Sequence, residues 1–377
     1  MRSEKIVILF IALLFLNNCI TQFIPETNEN QDLLVVEGLL TDRPEVHSVK
    51  ISKSLPLGKK SKPVPVKGCI VSITDDSGNT YKLKEKEPGT YITDAAGFRG
   101  IIGRRYTLNV VTTSPATKFH TYRSLPMELK PVPPIDSLYY EKVVIRERDD
   151  NGPKMEGCNI FLNSYDNDHQ CRYYRWDFKE TWEYILPYDV VNKRCWISEN
   201  SGSIMIKNTS ILSEDRINRY RINYVTNKTD RLRVKYSIMV NQYSLNEEEY
   251  TFWEKLSNIT GNVGSLYDIT PSSIPSNIYC VEDQSEKVLG YFSVSAKASK
   301  RIFIKDSFAG LIDLYSGCIT DTIYGTRPIP DINVLVWVLI DGINEIPPYR
   351  VLTDTKGCAD CTVRGTNIEP DFWEEGN

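Results

Sequence analysis

The 377 residues carry 45 Lys and Arg against 49 Asp and Glu, a formal net charge of −4, which leaves no basic surplus for phosphate backbones and sets nucleic acid aside as a partner. With 41% hydrophobic residues, 22 Tyr, 12 Phe and 6 Trp, the composition excludes a disordered chain, and the length exceeds what one core usually serves, so two domains are expected. Val, Ile and Thr recur in short alternating runs between Gly, Pro, Asn and Asp, so the expected fold class is mainly β.

At the N-terminus Arg2 and Lys5 precede an unbroken apolar run, Ile6 to Leu16, that closes on Leu16-Asn17-Asn18-Cys19. This is the layout of a bacterial secretory signal over residues 1–18 ending in a lipobox, and the run is too short for a membrane span, which needs about 20 residues. Asn18 departs from the small residue usual at its position. Cys19 is therefore expected to be acylated and to hold the protein on a lipid bilayer, at about 0.8 kcal/mol per buried methylene. Cleavage removes Arg2, Lys5 and Glu4, a net +1, and takes the formal charge from −4 to −5. Residues 19–31 read as a polar tether.

Residues 32–130 read as an immunoglobulin-like or carboxypeptidase-regulatory-like β-sandwich of about seven short strands. Its strand segments are Leu33 to Gly38, Val46 to Ser52, Cys69 to Thr74, Tyr81 to Leu83, Gly89 to Ile92 and Arg105 to Val110, with a tight turn at Asp75-Asp76-Ser77-Gly78-Asn79. Pro126, Pro131, Pro133 and Pro134 then interrupt the pattern, because proline lacks the amide donor a sheet needs, and the domain boundary is placed there.

Residues 131–377 read as a larger β-rich domain with at least one short helix and a cysteine-containing C-terminal segment. Strands are predicted at Glu141 to Arg148, Cys158 to Ser164, Arg172 to Tyr184, Arg231 to Tyr243, Val288 to Ala296, Lys300 to Ile304 and Asn333 to Ile340. The last is apolar on both faces, as for a buried central strand. The helix begins after Asn246 as N-cap, places Glu247 to Glu249 where the helix dipole favours negative charge, shows Phe252, Leu256 and Ile259 on one face, and ends at Gly261.

No catalytic constellation can be assembled. His47, His120 and His169 stand singly and read as solvated side chains, so no metal ligand set and no cofactor are expected, and the chain reads as a non-enzyme. Asp149-Asp150 and the pair Asp166 and Asp168 read as solvated turns, the alternative being a hydrolase that uses those carboxylates. Beyond Cys19 eight cysteines remain, so up to four disulfides can form. Cys358 and Cys361 read as structural cysteines, with Cys318 expected to pair with one of them and to dock Phe372 and Trp373 on the second domain. Period-2 spacing puts Tyr174, Trp176, Phe178, Trp182 and Tyr184 on one strand face. Such a strip belongs in a core, or, if exposed, forms a stacking surface for a sugar or protein partner.

Several blocks together carry a resemblance. They are Leu34-Val35-Val36-Glu37-Gly38-Leu39-Leu40-Thr41-Asp42, Tyr173-Tyr174-Arg175-Trp176, Glu180-Thr181-Trp182-Glu183, Tyr236 to Leu245, Phe252-Trp253-Glu254, Gly264-Ser265-Leu266-Tyr267-Asp268, Val288 to Ser293, Cys358-Ala359-Asp360-Cys361 and Pro370-Asp371-Phe372-Trp373. In that order they resemble the Bacteroidota outer-membrane lipoproteins known only as domain of unknown function 4249. The resemblance implies no activity. It implies a place on the outer membrane, at the cell surface or on the periplasmic face, and a TonB-dependent receptor as partner in nutrient uptake, with a structural or adhesive envelope protein as the alternative.

Overall fold

The computed structural model describes residues 33–54, 63–94, 98–113, 119–148, 152–261, 274–315, 317–325 and 337–373. The expected signal, Cys19 and the tether lie outside them, as do Asp149 and Asp150. The fold is mainly β, with several sheets and the helix Glu247–Gly261. Among the described residues no helix is long and apolar enough to cross a membrane.

The first core collects the alternating apolar residues of the segment before the proline cluster. Leu34–Thr41, Ser48–Lys53, Ile70–Asp75, Thr80–Glu87, Thr90–Ile92, Arg105–Val111 and Thr121–Ser124 form a continuous hydrogen-bonded path. The turn between the third and fourth of these is fixed by Asp75, whose carboxylate accepts the Ser77 and Asn79 amides at 3.0 and 2.9 Å and the Asn79 side-chain amide at 2.9 Å.

This sheet is not completed by the N-terminal segment. The expected division near residue 131 assigns everything downstream to a second unit, yet Ile278–Cys280 pairs antiparallel with Thr121–Ser124, and Val288–Ser295 pairs parallel with Leu34–Thr41. Tyr291, Phe292 and Val294 thereby enter the first core beside Val36 and Leu40. The parallel contact is close. Gly290, opposite Val36, has φ of +89°, and a Cβ there would lie 2.1 Å from the Val36 carbonyl oxygen, so only glycine fits.

The second core lies between two sheets. One is ordered Ile135–Arg146, Met155–Tyr165, Arg216–Val225; the other is ordered Arg194–Asn200, Tyr173–Ile185, Lys235–Ser244, Lys297–Ile304, with Met205–Asn208 also on the second strand. Tyr174, Trp176, Phe178 and Trp182 are buried in it, and Tyr184 is buried in a third, smaller core. The aromatic strip is therefore interior and offers no stacking surface. Its polar tips are satisfied inside: Trp176 Nε1 donates to Gln242 at 2.9 Å, Trp182 Nε1 to Asp230 at 3.1 Å, and Tyr174 OH to the Cys171 carbonyl at 2.8 Å.

The third core packs the C-terminal segment. Trp337–Gly342, expected as a buried central strand, is an edge of a three-stranded sheet whose middle is Tyr349–Thr353; residues 333–336 lie outside the described part. Two disulfides close this region, Cys318–Cys358 and Cys195–Cys361. The first is one of the two expected pairings. The second corrects the expectation in part, since Cys361 finds its partner on Arg194–Asn200, far from it in sequence, where the backbone groups of Trp196 and Thr366 also exchange hydrogen bonds at 2.8 and 3.0 Å. Trp373 docks as expected: it is buried, its carbonyl accepts the Lys235 ammonium at 2.7 Å, and its ring meets those of Trp196 and Phe303 edge-on.

Candidate functional site

Alternation along Tyr173–Ile185 buries the even-numbered aromatics and leaves Tyr173, Arg175 and Asp177 half-buried on the other face. The helix Glu247–Gly261 packs over that face. Its Phe252 joins the first core, while Trp253 turns toward Arg175. The Arg175 guanidinium carbon sits 4.7 Å from the Tyr243 ring centre and 4.6 Å from that of Trp253, an aromatic clamp that holds the charge in place. Its Nε is buried without a hydrogen-bond partner. Among the described residues no carboxylate forms an ion pair with it, although the buried Glu249 carboxyl lies close enough to feel its charge; Asp177 Oδ1 accepts the Asn241 amide at 2.7 Å.

Two cavities adjoin at this clamp, sharing Arg175, Asp177 and Trp253. One, of about 490 Å³, lies between Lys179, Asn241 and Tyr243 and the Asn200-Ser201-Gly202-Ser203 turn. The other, of about 370 Å³, reaches to Glu37, Gly38 and Lys50 of the first sheet and to Tyr291 and Ser293 of the returning strand. Among the described residues no histidine or cysteine lines either cavity. The chemistry on offer is a fixed cation, aromatic faces, neutral hydrogen-bonding groups such as Asn200, Ser201 and Asn241, and further charges of both signs at Lys179, Lys50, Asp177 and Glu37.

Beneath the clamp lies Glu249, in the first helical turn and fully buried. One carboxyl oxygen takes the Trp253 indole N–H at 3.3 Å and the other has no hydrogen-bond partner. Burial pushes its pKa up to about 7, outweighing the opposing pull of Ser293, Arg175 and Trp253.

The sequence-expected sites fare differently. Asp166 is buried, not solvated: its carboxylate accepts the backbone amides of Asp168, Gln170 and Cys171 at 3.2, 2.7 and 2.6 Å, which makes it an anchor of its loop. His47 is buried too, accepting the Thr41 amide at 3.4 Å, and His169 pairs with Asp215 at 2.6 Å. His120 lies against Cys280 and Glu286, and its Nδ1 is 2.7 Å from a Glu286 oxygen. Cys69, Cys158, Cys171 and Cys280 are buried thiols.

The family described as Domain of unknown function (DUF4249) matches residues 20–301. The chain belongs to the DUF4249 family. Curated proteins gave no match. The matched region of this DUF4249 protein contains both cavities, the helix and the returning strand, and it stops inside the Lys297–Ile304 strand. The three-stranded sheet and the Cys318–Cys358 disulfide follow outside it.

Arg175, Trp253 and Gly290 all fall in the blocks that carry the resemblance, which was the available signal for the clamp. Glu249 carried none, because an acid in a first helical turn reads as an exposed, dipole-favoured residue.

Proposed function

We propose that this DUF4249 protein is a lipid-anchored binding protein of the outer membrane, held there through Cys19, that takes an anionic, carboxylate-bearing ligand at the Arg175 cleft and works beside a TonB-dependent receptor in nutrient uptake. The clamped Arg175 bordering both cavities carries this reading, since its Nε has no hydrogen-bond partner and a guanidinium held at a cavity wall presents a fork that a carboxylate from outside can fill. The lipobox-like N-terminus supports the anchoring.

Labelling, co-purification and a ligand screen test it. Palmitate labelling of the wild type and Cys19→Ala is expected to mark only the wild type; equal labelling of both would remove the anchor. In native membranes the protein is expected to co-purify with a TonB-dependent barrel. Screening acidic peptides and uronic-acid oligosaccharides by thermal shift is expected to yield binders whose affinity drops about 10- to 100-fold in Arg175→Ala, the range for losing a hydrogen bond to a charged group. Uptake untouched by deletion of the gene, with surface attachment changed, would favour a structural or adhesive envelope protein. Turnover of glycans or peptides that vanishes in Asp168→Asn would make it a hydrolase.

A further inference from the structure

The paired strands Thr121–Ser124 and Ile278–Cys280 bring together three side chains of metal-ligand type from distant parts of the chain. His120 leads into the first strand, Cys280 ends the second opposite Tyr122, and Glu286 closes the turn that follows, where the Glu286 amide donates to the Asp283 carbonyl at 3.1 Å. The His120 Nδ1 lies 2.7 Å from Glu286 Oε2 and 3.4 Å from Cys280 Sγ, and one ligand atom from each residue lies within 4.8 Å of the other two.

We propose that His120, Cys280 and Glu286 bind a zinc ion. A tetrahedral site with Zn–S of about 2.3 Å and Zn–N of about 2.0 Å separates sulfur from nitrogen by about 3.5 Å, close to the spacing found here. The histidine–carboxylate pair must open from 2.7 Å to about 3.3 Å, a small shift for a side chain in a surface turn that is 25% exposed. Thiolate with imidazole and one carboxylate suits zinc, whereas calcium and magnesium call for oxygen ligands alone. Binding forms a Zn–S bond and releases the thiol proton to water, the ion staying divalent. Three protein ligands leave the fourth position for water or a ligand group.

The surroundings are built in advance. Tyr122 OH donates to the other Glu286 oxygen at 2.7 Å, and the His120 backbone is tied in both directions to Thr112, at 3.1 Å through its amide and 3.0 Å through its carbonyl. Glu282 accepts the Thr121 amide at 2.7 Å and stands 3.6 Å from the Cys280 sulfur. The thiols of Cys69 and Cys171, by contrast, point to backbone carbonyls. Such an ion fastens the returning segment onto the N-terminal sheet, next to the edge where the first core is completed.

The test uses the purified, reduced full chain with Co²⁺ as a spectroscopic probe and Zn²⁺ as competitor. One equivalent of Co²⁺ is expected to give thiolate-to-metal charge-transfer absorption that one equivalent of Zn²⁺ removes. Cys280→Ser is expected to abolish the band, Glu286→Gln to weaken zinc binding at least about tenfold without loss of fold by circular dichroism, and Tyr122→Phe to weaken it about 10- to 100-fold. Absence of the band from the wild type, or its full retention in Cys280→Ser, overturns the assignment. Should Cys280→Ser fail to fold, unchanged affinity in folded Glu286→Gln overturns it equally.

Discussion

Cys195→Ala with Cys361→Ala is expected to lower the stability by about 5 kcal/mol, while Cys318→Ala with Cys358→Ala lowers it by about 4 kcal/mol. The order follows from loop length. The first bridge spans 166 residues and the second 40, and the chain entropy released to the unfolded state grows with the logarithm of the loop, which separates the two by about 1 kcal/mol. The longer bridge also holds the segment from Asp360 to Trp373 against Arg194–Asn200, where Cys361 N donates to the Asn192 carbonyl at 3.0 Å. Its removal should therefore loosen Trp373 from Lys235 and Glu183, seen as a red shift of tryptophan fluorescence before the global transition. Urea denaturation of both pairs under oxidising conditions decides the matter. Equal midpoints, or stability unchanged in the Cys195 and Cys361 pair, would show that the bridges do not act by constraining the unfolded chain.

Local signals in the sequence located most elements and few partners. The helix was legible because Asn246, the acidic first turn and the Phe252, Leu256 and Ile259 face all lie within one short window, and the structure places it at Glu247–Gly261. The interior face of Tyr173–Ile185 was legible from period 2 alone. Val288–Ser295 was legible as a strand, but its parallel pairing with Leu34–Thr41 depends on residues some 250 positions away, so the sequence assigned it to the wrong neighbourhood. The same blindness hid Cys195 as the partner of Cys361 and separated His120 from Cys280, since ligand spacing is recognisable only within a local segment. Trp337–Gly342 misled in another way. Its apolar run suggested a central position, yet among the described residues of this sheet Tyr349–Thr353 is the strand with neighbours on both sides.

Glu249→Gln is expected to stabilise the protein by on the order of 3 kcal/mol at pH 8 and to leave it unchanged at pH 4. An ordinary glutamate titrates at 4.5, whereas burial holds Glu249 at about 7, and each unit of the difference corresponds to about 1.4 kcal/mol. The folded-state value lies above the unfolded one, so folding takes up a proton: the contribution of Glu249 to stability is greatest below pH 4.5, falls as pH rises, and is lost in full above pH 7. Glutamine has the same shape and never ionises, which removes that slope. Position alone argues the other way, because the helix dipole favours a negative charge in the first turn, but that effect is worth only about 0.3 to 1 kcal/mol and desolvation of a fully buried carboxylate exceeds it. Urea midpoints measured from pH 4 to 8 on both proteins separate the two effects. Parallel curves would mean that Glu249 titrates as an exposed acid; a wild-type curve that falls relative to the variant's between pH 4.5 and 7 would identify an acid kept at a thermodynamic loss directly beneath the Arg175 clamp, as expected where a binding site, and not the fold, sets the residue.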